Sequence, residues 1–143
     1  MPRTRAYRWR TCRHEISKTL PISVLCNEHT ASAGELFTCA LKDYGSHGLL
    51  NVTVVGCVTF GKGTMQTLLN LGSGYATTIS FAMYNPPYSD NYEGVGVTPD
   101  IPVELGEEAQ EKSIYVLTEE EDVQMQAAIA SVTSRIGESA AEE

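Results

Sequence analysis

PISVLCNEHTASAGELFTCALKDYG, residues 21–45, carries the signals that decide the fold. PISVLCN is a short apolar run with β-branched residues, bounded by polar ones, and it predicts a buried strand. Leu36, Phe37, Ala40, Leu41 and Tyr44 then recur at helical spacing, with Gly45 where a helix C-terminus favours a left-handed residue. Between strand and helix lies Ser32-x-x-Glu35, the pattern of a capping box, in which the serine hydroxyl accepts from an orphan amide and the glutamate reaches back. A serine among small residues at a helix start is equally placed to be an exposed nucleophile. This stretch alone supports both readings of Ser32.

Downstream, SHGLLN reads as a loop and VTVVG as a second buried strand, so residues 21–56 form a βαβ unit with parallel pairing. FGKG, residues 60–63, sets two glycines around Lys62. MQTLLNL and YATTISFAMY flank Leu71-Gly72-Ser73-Gly74, which predicts a hairpin. NPPYSDNYEG is a loop, because two prolines and several turn formers exclude a central strand. VGVTPDIPVEL predicts a last edge strand. From Thr118, TEEEDVQMQAAIASVTSRI predicts a helix with Val123, Ala127, Ile129 or Ala130, and Ile136 on its buried face and acids at its N-terminus. The resulting division is a basic leader at 1–20, an α/β core at 21–117, an acidic helix at 118–137 and a frayed tail at 138–143.

A chain of 143 residues, 42% hydrophobic and 20% charged, fits one globular domain. No apolar run has the length of a bilayer span, and the basic N-terminal stretch lacks the apolar centre of a secretory signal. The net charge of −8 is unevenly spread, since residues 1–18 hold six of the ten basic residues and one acid. The acidic remainder lacks the basic and aromatic interleaving of a nucleic-acid face, so no nucleic-acid partner is expected. Of the four cysteines, Cys26, Cys39 and Cys57 fall in apolar runs, where a free cysteine packs as a small core residue, while Cys12 lies in the basic stretch. Cys26 and His29 have the spacing of a metal pair, but no second paired set follows, and no metal is expected.

Lys62 brings chemistry to Ser32. A serine hydroxyl is a poor nucleophile until a base takes its proton, and a neutral lysine amine can be that base. Bringing a lysine from about 10.4 to about 7 to 8 takes roughly 4 kcal/mol of destabilisation of its charged form, which burial among Phe60, Met65 and strand residues would supply. Ser32 follows the first strand and Lys62 the second, so a parallel βαβ unit brings both to the carboxyl edge of the sheet, where active sites of open α/β sheets collect. The Ala33 amide, at the helix start, would face a developing oxyanion. His29 is too close to Ser32 along the turn to serve as its partner and reads as a surface histidine.

NEHTASAGELFTCALKDYG, VVG, TFGKGTMQT and GVGVTPDIPV, in this order over roughly residues 21–104, resemble the catalytic half of the carboxy-terminal processing proteases, also called tail-specific proteases. The resemblance implies a serine peptidase with a crotonase-like (Clp/crotonase type) fold, its βαβ core followed by a β-hairpin. It also implies a Ser-Lys dyad: Ser32 matches the nucleophile, Lys62 the general base, and Gln66 the glutamine that orients the lysine in some members. Asp43 falls on an acid implicated in some members. His29, Thr30 and Gly34 depart from the family's usual glycine and serine around the nucleophile, and the loop between Asp43 and Gly56 is longer than usual. Neither the family's peptide-binding PDZ domain nor its upstream Asp-Leu-Arg…Gly-Gly segment, whose glycine amide resembles a second oxyanion donor, is found here. The expectation is a truncated catalytic domain.

Two functions of different class follow from this reading. The first is an endopeptidase that cuts unstructured or C-terminal peptide segments with no cofactor, its substrate extended beside the sheet edge. The second is a catalytically incompetent peptide-binding or self-assembly module of the same fold. Exposed sheet edges lead in either case to an expectation of homo-oligomers.

Overall fold

The computed structural model describes residues 20–141. The basic stretch before residue 20, Cys12 and the last two residues lie outside the described residues. Strand β1 (Pro21–Cys26) leads into helix α1 (Ala33–Ser46) and then strand β2 (Asn51–Gly56). The 14-residue helix rises about 21 Å, close to the roughly 20 Å of a six-residue strand, so α1 returns the chain to the start of a parallel neighbour. Pro21 lies opposite Asn51 and Cys26 opposite Gly56, in unbroken parallel register.

A hairpin follows, of β3 (Thr64–Gly72) and β4 (Tyr75–Met83), and then a long loop. Strand β5 (Ile101–Pro102) pairs in parallel with the far side of β2, giving the order β1-β2-β5. With a neighbour on each side, β2 holds the centre of the core, and Val54 and Val55 are fully buried. The short helix α2 (Glu107–Gln110) and a 3-10 turn (Ile114–Val116) lead to helix α3 (Val123–Ala141). Gly45 of α1 packs on Val52, whereas Ser23 Oγ donates to Ala128 O of α3. Strand alternation puts those contacts on opposite faces, so the two helices cover the sheet from both sides.

Four local expectations change. Gly45 lies inside α1, where a side chain would press on Val52 at 3.3 Å, and the left-handed residue is Gly48, at φ +65°. The last helix starts at Val123, not Thr118, because Thr118 O accepts from Glu121 N and Asp122 N in a tight turn. Asp122 Oδ1 then accepts from Met125 N, leaving the acids before the first helical turn rather than in it. The buried face of α3 is also more polar than its apolar periodicity suggests. Ile129 and Ile136 are exposed, while Gln124 and Ala128 are buried. Gln124 donates to Val103 O, and the Arg135 guanidinium to Ile22 O and Asn51 Oδ1. The helical backbone itself continues to Ala141, past the expected start of a frayed tail.

Removing two buried methyls at the centre of β2, in Val54→Ala, should cost about 2 to 3 kcal/mol. By contrast, Leu68→Ala on the hairpin, where the side chain is 73% exposed, should change stability by less than about 0.5 kcal/mol. Urea unfolding followed by circular dichroism measures both, and equal losses would contradict the assignment of the core to β2.

Candidate active site

The turn after β1 is held by its own polar groups. Thr30 N donates to Asn27 O, and Asn27 Oδ1 accepts from His29 N. The chain then enters Ser32 at φ 56° and ψ −117°. Among the described residues only Ser73, in the hairpin turn, is another non-glycine residue with positive φ. A conformation that costs on the order of 1 to 3 kcal/mol persists only where its surroundings over-determine it.

Glu35 does so. Its side chain is fully buried, and Oε2 accepts from Ser32 N at 2.8 Å, the glutamate half of the expected capping box. The same oxygen accepts from Lys62 N at 2.8 Å, while Oε1 accepts from Thr59 Oγ1 and Gly61 N. One carboxylate therefore joins the serine turn to the lysine loop, whose backbone nitrogens lie two hydrogen bonds apart. Burial alone would raise the Glu35 carboxyl, but hydrogen bonds from Thr59, Gly61, Lys62 and Ser32 outweigh it and hold the group below its ordinary value. A second tie runs from Phe60 N to Thr30 O.

The lysine loop is packed as well as bonded. Gly61 sits at φ +88°, and a side chain there would lie 3.1 Å from the backbone nitrogens of Val95 and Gly96. Thr59 Oγ1 also accepts from Val97 N, so the segment before β5 locks the loop from the other side. Lys62 Nζ donates to Gln66 Oε1 at 2.9 Å, and Gln66 Nε2 faces Ser80 Oγ across the hairpin. Neighbouring Gly63 donates its N–H to Glu93 and its carbonyl accepts from Asn91.

Two tyrosines from the loop after β4 complete the surroundings of Ser32. Tyr84 OH lies 3.3 Å from Ser32 Oγ, and Tyr92 OH donates to Ser32 O at 3.1 Å. Burial pushes the Tyr92 phenol up, so it remains a donor. The Ala33 N–H, first in α1, has no protein acceptor among the described residues.

Ser32, Ala33, Lys62 and Gln66 thus collect at one end of the sheet. Ser32 Oγ and Lys62 Nζ do not bond each other here, since each has the partner just named. The burial expected around Lys62 is not provided by Phe60, 67% exposed, or Met65, 39% exposed. Asp43 does not join the group. It lies near the far end of α1, where its buried carboxylate accepts from Tyr88 N, Ser89 N and Ser89 Oγ and pins the loop that carries the tyrosines. Burial opposes ionisation of Asp43, and those bonds more than offset it. His29 points to solvent beside Glu28. The free thiols Cys26, Cys39 and Cys57 are all pushed up by burial, Cys26 to about 11, which keeps them protonated and unreactive. Among the described residues no cluster of three or more His, Cys, Asp or Glu side chains suits a metal ion.

The model of peptidase family S41 matches residues 2–103. The chain belongs to that family. The match starts inside the basic stretch, well before β1. The carboxy-terminal-processing protease of Bartonella bacilliformis is 38% identical over 90 residues, which are 63% of this chain and 20% of that protein. The carboxyl-terminal-processing protease of a Synechocystis species is 34% identical over 126 residues, 88% of this chain and 27% of its own. In structure, a photosystem II D1 C-terminal processing protease matches 59% of this chain and 20% of its own, with a TM-score of 0.50 and 37% identity. The chain therefore spans about a fifth to a quarter of the length of these relatives.

Exchanging the Glu35 carboxylate for an amide in Glu35→Gln sets an NH2 group against two N–H or O–H donors and should cost about 3 kcal/mol at pH 7. The folded carboxyl lies below its ordinary 4.5, so its contribution is full above that value and fades as pH falls through the lowered one. The gap between wild type and Glu35→Gln in urea unfolding should narrow in acid, and a gap independent of pH would contradict the role given to the charge.

Proposed function

We propose that this S41 chain carries the reacting groups of a serine-type peptidase, acting through Ser32 and Lys62 on unstructured or C-terminal peptide segments and built on a crotonase-like fold. The observation that carries the proposal is the convergence of Ser32 N and Lys62 N on one buried Glu35 oxygen. It ties a strained serine to a lysine loop from the next parallel strand, and strain of this kind clusters at functional sites. The relatives bear the names of C-terminal processing proteases, which favours the same class of substrate.

In this reading the neutral Lys62 amine takes the Ser32 hydroxyl proton as Oγ bonds to the scissile carbonyl carbon, and the carbonyl electron pair moves onto oxygen. The tetrahedral intermediate collapses with cleavage of the C–N bond, and Lys62 hands the proton to the leaving amine. Water then attacks the acyl-serine carbonyl, giving a proton to Lys62; the ester C–Oγ bond breaks, the carboxylic acid product leaves, and Lys62 returns the proton to Ser32 Oγ. Gln66 orients the lysine through the 2.9 Å bond, and Lys62 must swing from it towards Ser32 Oγ when substrate binds. Apo sites commonly show such unclosed catalytic bonds. A peptide lying extended beside the sheet edge would bring its carbonyl to Ser32.

Cleavage of a disordered protein by the purified chain tests this. Ser32→Ala and Lys62→Ala should each lower the rate at least about 1,000-fold. Equal rates for all three folded proteins would leave a peptide-binding module of the same fold.

A further inference from the structure

We propose that Tyr84 is a further catalytic residue, its phenolic O–H donating to the oxyanion formed when Ser32 attacks a peptide carbonyl, beside the Ala33 N–H. The inference rests on the reading of Ser32 as nucleophile. An oxyanion hole needs donors about 2.7 to 3.1 Å from where the charge develops. Two groups with the right polarity border Ser32 Oγ. One is the Ala33 N–H at the start of α1, which has no protein acceptor among the described residues. The other is Tyr84 OH, 3.3 Å from Oγ. In the tetrahedral adduct the oxyanion is two covalent bonds from Oγ, so a donor already one hydrogen bond from Oγ can turn its O–H onto it.

Tyr84 is also held in place before substrate arrives, which is what makes such a donor effective. Its N–H donates to Gly63 O at 2.8 Å, and its carbonyl accepts from Asn91 Nδ2 at 2.6 Å. The ring lies nearly parallel to Tyr92, with centroids 6.3 Å apart, and packs against the small cluster of Cys39, Tyr92 and Val97. Tyr92 in turn donates to Ser32 O, so the tyrosine pair and the serine turn form one unit. The phenol transfers no proton. The Ser32 proton goes to Lys62, the carbonyl electron pair goes to the oxyanion, and Tyr84 holds that oxygen by a hydrogen bond until the C–N bond breaks. Before attack the two hydroxyls share the 3.3 Å contact seen here.

The test compares the full chain with Tyr84→Phe, which removes one oxygen and keeps the ring packing. Two readouts are taken: hydrolysis of a fluorogenic peptide, and affinity for a peptide boronate, a tetrahedral mimic, against the matching peptide amide. The expected result is a fall in kcat of about 100-fold with KM within about twofold, a comparable loss of boronate affinity, and unchanged binding of the amide. Wild-type kcat in Tyr84→Phe, a higher kcat, or equal weakening of boronate and amide would overturn the proposal and leave Ser32 as nucleophile. A wild-type chain that neither hydrolyses the peptide nor captures the boronate would overturn both.

Discussion

The Glu35 carboxylate is the interaction on which the rest of the site depends. It is fully buried and accepts four hydrogen bonds, two on each oxygen. A buried charge with fewer partners would carry a large desolvation penalty, whereas full satisfaction turns the same charge into a rigid joint. The four donors come from two chain segments that enter from adjacent parallel strands, so the joint can form only when β1 and β2 are paired and α1 has returned the chain. Fold and site are thereby coupled. The turn that strains Ser32 is held by the same atom that holds the backbone of Lys62.

Around that joint the structure is organised in layers of polar anchoring rather than by a large apolar core. Thr59 passes the connection from Glu35 to Val97, Asp43 pins Tyr88 and Ser89, and Asn91 and Glu93 close on Gly63. These contacts fix the loop after β4, the element that brings Tyr84 and Tyr92 to Ser32. Among the described residues the hairpin pairs only within itself, with Leu68, Tyr75 and Phe81 largely exposed. Its link to the site is Gln66, whose Oε1 accepts from Lys62 Nζ.

Much of this was legible in the sequence where the determinants are local. PISVLC, the helical spacing of residues 36–44 and VTVVG gave the βαβ unit because periodicity and turn chemistry agree there. Ser32-x-x-Glu35 revealed one of the four bonds of the carboxylate, since a capping box is a local motif. The other three reach residues 24 to 27 positions away and leave no local signature. Tyr84 and Tyr92 sit beside and within a stretch that reads only as turn formers, and nothing in their spacing points back to Ser32. Gly45 misled for a physical reason: a small residue was needed against Val52, not a left-handed one. On α3, Gln124 and Arg135 dock through hydrogen bonds to strand backbone, a mode that apolar periodicity does not encode.

Native-state amide hydrogen exchange reads the Glu35 joint itself, because the Ser32, Gly61 and Lys62 N–H groups all donate to one carboxylate. If that carboxylate joins the two segments, the three amides should share one opening free energy, close to that of the β2 core, and exchange as a single unit. Rapid, loop-like exchange of Gly61 and Lys62 while Ser32 remains protected would show that the segments open independently and would contradict the account.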